Sequence, residues 1–311
     1  MRLFSAAEVA AATPYAGLVE ALRLAFMAEC TAPVRHHHET APATTLLLMP
    51  AWTGAFTGLK TVTVKTGNAA LGLPVVQASY LLIDNRTGAP VAVMDGTELT
   101  RRRTAAASAL AASYLARKDC STMVMVGAGA LSRHFVRAHA AVRPITRVFV
   151  YSRTLAKSEA VARDLAAEGF EARTVSDLAA AVGEADLISC ATGSEQAIVL
   201  GRWLKPGQHL DLAGAYKPSM REVDGLAVNR ATVFCDTREG AASEAGDLLQ
   251  AAAEGRFTMT DIAADLADLC HGHHAGRRNR QEITLFKSCG TAIEDLAAAE
   301  MVFGSKDPLD T

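Results

Sequence analysis

Met123-Val124-Met125-Val126 is a short apolar run, and Gly127-Ala128-Gly129-Ala130-Leu131-Ser132 follows it without a break. A helical pattern then continues over 131–141. Strand, glycine-rich turn and helix in that order predict a dinucleotide-binding turn of the G-x-G-x-x-small type. Gly127 permits the tight turn, and Gly129 lets the backbone approach a pyrophosphate. The helix start, at Ala130 and Leu131, turns unpaired N–H groups toward the anion. Ser132 stands where the fingerprint usually has Gly or Ala, and it is small enough for close helix–strand packing.

Downstream of this turn, β-type and helical runs alternate at 147–151, 156–167, 172–174, 178–182, 187–191, 209–212 and 232–235. Such alternation predicts a parallel sheet with helical crossovers, that is, an α/β Rossmann domain. Upstream the pattern differs. Ser5 and Glu8 form a capping-box start for a short helix, and Pro14 opens a second one to about Met27. β-type runs follow at 44–49, 58–65, 75–83 and 90–94, the last two joined by a loop of hairpin length at 84–88. Asp95-Gly96-Thr97 opens an Ala-rich helix to about residue 118, and a final helix covers 291–303. The upstream part reads as a second, α+β domain.

A chain of 311 residues suits two domains better than one core. Half of the residues are apolar and 21% are charged, a globular composition without the signature of disorder. A net charge of −2 gives no bulk attraction to nucleic acid or to an anionic membrane. No apolar run reaches the ~18 residues needed to span a bilayer. The six cysteines are scattered, with no C-x-x-C pair, and read as reduced thiols of a cytoplasmic protein. Glu8 and Glu20 lie in an N-terminus without a long apolar run, so no signal peptide is expected.

The second Rossmann strand discriminates between dinucleotides. NAD enzymes usually end it with Asp or Glu, which holds the ribose 2′-hydroxyl. Here it ends Val150-Tyr151-Ser152-Arg153-Thr154, with no carboxylate. Ser152, Arg153 and Lys157 could hold a 2′-phosphate instead, so NADPH is favoured over NAD. The alternative is a solvated arginine in a strand–helix loop.

Two cations in the first domain are oddly placed. In Lys60-Thr61-Val62-Thr63-Val64-Lys65, Lys60 shares a face with the valines and Lys65 with the threonines. Desolvation on an apolar face lowers a lysine pKa and suits it to proton transfer; a lysine snorkelling from a strand end is the competing reading. Arg103 lines up at helical spacing with Leu99, Leu110 and Tyr114, which should face inward. An inward arginine needs an anion, and a substrate carboxylate or a protein carboxylate would serve equally. His36-His37-His38-Glu39 and His271-Gly272-His273-His274 lack zinc-site spacing and read as solvated loop histidines, so no metal is expected. The 271–280 stretch reads as a mobile loop. Cys289 reads as packing, and Asp236 and Asp247 as either pocket-orienting or solvated acids.

Further matches run the length of the chain: Met49-Pro50-Ala51, Gly58-Leu59-Lys60, Gly72-Leu73-Pro74, Asp95-Gly96, Thr100-Arg101-Arg102-Arg103-Thr104, Gly127-Ala128-Gly129, Ala191-Thr192, Trp203-Leu204-Lys205-Pro206-Gly207, Arg221-Glu222, Gly246-Asp247, Phe286-Lys287-Ser288-Cys289-Gly290 and Glu294-Asp295. With these in order, the chain resembles the ornithine cyclodeaminase/mu-crystallin family. The resemblance implies a homodimer with a substrate-binding and dimerisation domain of residues 1–112 with 291–311, and a Rossmann NAD(P)-binding domain of 113–290. It implies that Arg35, Lys60 and Arg103 bind a substrate carboxylate, with Lys60 and Arg103 catalytic. It places Gln77 in the substrate pocket, and Thr192, Ser288 and Gly290 near the nicotinamide. Ornithine cyclodeaminases carry an Asp in the loop that here reads Ala213-Gly214-Ala215-Tyr216, and Ala215 stands in its place. A methyl group holds no ammonium. The segment is closer to that of the mu-crystallin-like ketimine reductases. The expected activity is therefore reduction of a small imino acid such as Δ1-pyrroline-2-carboxylate, with ornithine cyclodeaminase or alanine-dehydrogenase-like chemistry, or a non-catalytic NADPH-binding role, as alternatives.

Overall fold

The computed structural model describes residues 1–305 and divides into two compact units, Met1–Thr104 with the C-terminal segment from Thr291, and Ala105–Gly290. The first unit contains β1 (Arg2–Phe4), α1 (Ala6–Ala12), α2 (Tyr15–Met27), β2 (His36–Ala41), β3 (Thr44–Trp52), β4 (Phe56–Lys65), β5 (Val76–Asp84) and β6 (Ala89–Asp95). Helix α3 (Gly96–Leu115) starts here and carries the chain into the second unit. The strands form one sheet in the order β1-β6-β5-β4-β3-β2, antiparallel except for the β1–β6 pair. The capping box at Ser5 is present, with Ser5 N donating to Glu8 Oε2 at 2.8 Å. The 84–88 loop closes the β5–β6 hairpin. On β4 the period of two buries Lys60 and Val62 and leaves Thr63 exposed. Met49, Lys60, Tyr80 and Met94 form one buried cross-strand row on that face, and Leu18, Leu22 and Phe26 of α2 are buried as well. The C-terminal helix (Ala292–Gly304) lies against α2, β3 and β4.

Two strands of this sheet leave no trace in the apolar pattern. Strand β1 has only three residues. Strand β2 carries His36, His37, His38 and Glu39, all exposed, so the first histidine cluster sits on an edge strand and not in a loop.

The second unit holds eight parallel strands: β7 (Thr122–Val126), β8 (Arg147–Tyr151), β9 (Glu171–Thr174), β10 (Leu187–Cys190), β11 (His209–Leu212), β12 (Thr232–Cys235), β13 (Ala264–Asp265) and β14 (Thr284–Lys287). Their order is β13-β12-β14-β11-β10-β7-β8-β9. The crossovers carry α4 (Ser132–Ala140), α5 (Leu155–Ala167), α6 (Leu178–Glu184), α7 (Gly225–Arg230), α8 (Arg238–Glu244), α9 (Gly246–Ala253) and α10 (Leu266–His271). From β7 the chain moves outward through β8 and β9, then returns to β10 on the other side of β7. A ligand crevice lies at the carboxyl ends of the strands where the order reverses. The 271–280 stretch is tied down by Arg277, which donates to Leu115 O at 2.6 Å and to Gln208 O and Thr284 Oγ1 at 2.9 Å each. No helix among the described residues is long and apolar enough to cross a membrane.

Candidate active site

The switch point of the second unit is a cavity of 300 Å³, lined among others by Gly127, Gly129, Ser152, Arg153, Lys157 and Thr192. Gly127 has φ +114°, and a Cβ there would meet Ala191 O at 2.6 Å, so the turn admits only glycine. A Cβ built on Gly129 meets nothing within 4 Å, so open space faces that backbone. No side chain caps helix α4, whose N-cap is Leu131 and follows Ala130, so the positive end of its dipole stands just past the glycine turn. Ser132 turns inward and donates to Gly129 O at 2.8 Å. No Asp or Glu lines the cavity; Ser152, Arg153 and Lys157 stand at its β8 side. This donor set fits a dinucleotide.

Buried carboxylates tie together the loops at the strand ends of this unit. Glu222 Oε1 accepts from Thr192 N at 2.7 Å and Thr192 Oγ1 at 2.9 Å, and Oε2 accepts from Gly214 N at 2.7 Å. Asp236 Oδ2 accepts from Ser288 Oγ at 3.2 Å, Cys289 N at 2.7 Å and Gly290 N at 2.5 Å. Asp236 and Asp247 are buried, which removes the reading of them as solvated loop acids; neither lines the cavity. Asp247 pairs with Lys287 at 3.2 Å, both fully buried. Glu222 and Lys287 belong to quoted motifs, yet spacing alone gave neither a role.

The first unit holds a buried charge cluster. Lys60 Nζ lies 2.8 Å from Asp295 Oδ1 and 2.7 Å from Oδ2. Arg103 donates from Nε to Asp295 Oδ1 at 2.8 Å and from Nη1 to Glu294 Oε2 at 2.5 Å. The anion facing Arg103 is therefore a protein carboxylate pair, which occupies two of the five N–H donors of a guanidinium. Lys60 is 1% exposed, which removes the snorkelling alternative. Burial, then the Arg103 charge, lowers its pKa against the pull of Asp295, and Arg35 adds to the lowering; the net value is about 7. Burial alone lowers Arg103, but Asp295 and Glu294 more than offset it and the net direction is up. Glu294 and Asp295 were visible as a motif without a function.

Tyr80 pairs in register with Lys60, and its buried hydroxyl has no hydrogen-bond partner. A Cβ on Gly58 would stand 1.8 Å from that hydroxyl, which explains the glycine of the Gly58-Leu59-Lys60 motif. Arg35, on the segment before β2, acts on Lys60 through its field. Gln77 does not join the cluster. It pairs with Thr63, an odd number of residues along β4 from Lys60, and lies exposed on the opposite face of the sheet. Among the described residues no group of three His, Cys, Asp or Glu could hold a metal.

The model of the ornithine cyclodeaminase/mu-crystallin family matches residues 5–307. A Δ1-pyrroline-2-carboxylate reductase of Paracoccus denitrificans is 42% identical over 265 residues, 84% of this chain and 83% of that protein. Among solved structures, Thermococcus litoralis Δ1-pyrroline-2-carboxylate reductase in complex with NADH and L-proline superposes with a TM-score of 0.94 at 33% identity, covering 98% of this chain and 97% of the other. An archaeal alanine dehydrogenase dimer with bound NAD gives 0.92 at 29% identity, covering 98% and 95%. On fold, site and sequence together, the chain belongs to the ornithine cyclodeaminase/mu-crystallin family.

Proposed function

We propose that this protein is a nicotinamide-dependent reductase of the C=N bond of a small imino acid, with Δ1-pyrroline-2-carboxylate as its substrate. The observation that carries the reading is Lys60: a fully buried lysine poised near pKa 7 beside Arg103, in a chain whose other unit offers a dinucleotide crevice. When bound, the reduced nicotinamide supplies hydride. Hydride adds readily to an imine carbon only as the nitrogen gains a proton, and Lys60 can supply that proton at neutral pH. Asp295 holds the ammonium in place. Arg103, fixed by Glu294 and Asp295, has donors left for the substrate carboxylate, and Arg35 adds positive field.

Ser152, Arg153 and Lys157 support a preference for NADPH, since guanidinium and ammonium groups match a 2′-phosphate and no carboxylate is present to repel it. Thr192, Ser288 and Gly290, at the ends of β10 and β14, are assigned to the nicotinamide side. A homodimer accords with β2, an edge strand with all six residues exposed. Buried Ala215 offers no charge for the distal ammonium of ornithine, which favours imine reduction over cyclodeamination.

The test is oxidation of NADPH and NADH with Δ1-pyrroline-2-carboxylate, with Lys60→Ala alongside. Turnover in the parent protein, reduced about 100-fold or more in the variant, is expected. Dinucleotide binding without turnover of any imino acid would leave a binding protein and overturn the assignment.

A further inference from the structure

We propose that Glu222 is a positioning residue for the nicotinamide half of the dinucleotide, acting through Thr192. The proposal rests on the reading of the β7–β10 crevice as a dinucleotide site. Glu222 is 0% exposed; its carboxylate holds Thr192 of the cavity wall, and its backbone carbonyl accepts from Ile198 N of the same wall at 2.8 Å. Its two oxygens take three donors from two neighbouring strand-end loops, Thr192 after β10 and Gly214 after β11. The close approach is built into the chain: a Cβ on Gly214 would lie 2.2 Å from Thr192 N and 2.3 Å from Glu222 Oε1.

Glu222 is itself held. Asp247 Oδ1 accepts from Glu222 N at 2.6 Å and Val223 N at 3.1 Å. A Cβ on Gly246 would stand 2.0 Å from Met220 O, so the glycine lets α9 bring Asp247 this close. Asp247 in turn pairs with Lys287 at the end of β14. The result is a buried strap across the ends of β10, β11 and β14.

The position of β10 decides which half of the ligand feels the strap. The β7 turn faces the pyrophosphate, and the end of β8 faces the adenosine ribose. Strand β10 flanks β7 on the side away from β8, so Thr192 meets the part of the ligand beyond the pyrophosphate. The donor set also demands a carboxylate. Thr192 N–H and Gly214 N–H point at opposite oxygens, and an amide at 222 must turn its NH2 against one of them. A buried donor left without an acceptor is costly.

The charged and titratable groups around Glu222 are Lys287 of β14, Asp247 of α9 and the Cys190 thiol of β10. Burial and Asp247 raise its carboxyl, Lys287 lowers it, and the net is a rise to about 7. Below that pH a proton occupies one of the faces that the N–H groups need.

The experiment titrates the full-length protein and Glu222→Gln with NADH and with ADP-ribose, which lacks the nicotinamide. The expected result is NADH affinity about tenfold weaker in the variant, with ADP-ribose changed by less than about twofold. In the parent protein the NADH-to-ADP-ribose affinity ratio should fall as pH drops from 8 to 6, and in Glu222→Gln it should be flat. Equal loss of both ligands, or loss of neither, overturns the role of Glu222. If the variant does not fold, a flat ratio in the parent protein overturns it. A parent protein that binds neither ligand sinks the dinucleotide reading itself, a result distinct from the others.

Discussion

Replacing Lys60 by Arg, and separately Asp295 by Asn, tests whether the proton for the imine comes from Lys60. A lysine with its pKa lowered to about 7 is protonated below that pH and neutral above it. A proton donor of this kind makes kcat/KM fall as pH rises through about 7, when the imine is varied at saturating dinucleotide. Arginine keeps the positive charge but does not deprotonate in this range, so Lys60→Arg should lose roughly 100- to 10,000-fold in rate and lose the alkaline limb. Asp295 stands 2.7 Å from the ammonium and is its one attractive partner among the causes of the shift. An opposite charge within such reach is worth about 1–3 pKa units. Asp295→Asn should therefore move the limb from about 7 to about 4–6, with activity retained only at acid pH. The assay is a pH series from 5 to 9 on all three proteins. A limb that persists in Lys60→Arg belongs to the imine itself, and a limb unmoved in Asp295→Asn means that Lys60 is not the titrating group; either result refutes the reasoning.

Arg153→Ala should raise KM for NADPH about tenfold and leave KM for NADH within about twofold, because an arginine–phosphate contact is a charge-assisted pair that only the 2′-phosphate provides; parallel steady-state kinetics with both cofactors decide it. Gly58→Ala should destabilise the fold by about 1–3 kcal/mol, since its Cβ overlaps the Tyr80 hydroxyl at 1.8 Å. Tyr80→Phe should be nearly neutral alone, because that hydroxyl is buried without a partner, and it should recover at least half of the Gly58→Ala loss. Urea melts of the two single variants and the double variant measure this, and additive losses would refute the clash.

The Rossmann half was legible because its signals are local. The turn at 127–132 and the alternation after it depend on residues within a few positions of one another. Lys60 was legible by its phase on β4 and Arg103 by its phase on α3. What these cations face was not, because the partners lie far along the chain: Asp295 is 235 residues from Lys60 and 192 from Arg103. The insertion of β14 between β11 and β12 is equally non-local. Strand β2 is not legible because both of its faces are exposed and no apolar period marks it. Gln77 rests on resemblance alone, and strand parity places it on the face opposite to Lys60.

The sequence distance between these charges also explains why the C-terminal helix belongs to the first unit. Two cations buried to within a few per cent of zero exposure are tolerated only with counter-charges in direct contact. Both counter-charges sit in the first turn of one helix, Glu294 and Asp295 behind the Thr291 cap. There the helix dipole favours negative charge. Arg103 sits two turns into α3, beyond the reach of that helix's own dipole, so burial is the cost it carries. The acids of the C-terminal helix offset that cost, and they hold Lys60 and Arg103 on a shared carboxylate. A chain that folded the first unit without this helix would leave both cations unpaired, a loss of about 3–5 kcal/mol for each broken pair. The buried cations therefore hold the C-terminal helix to the sheet that carries Lys60.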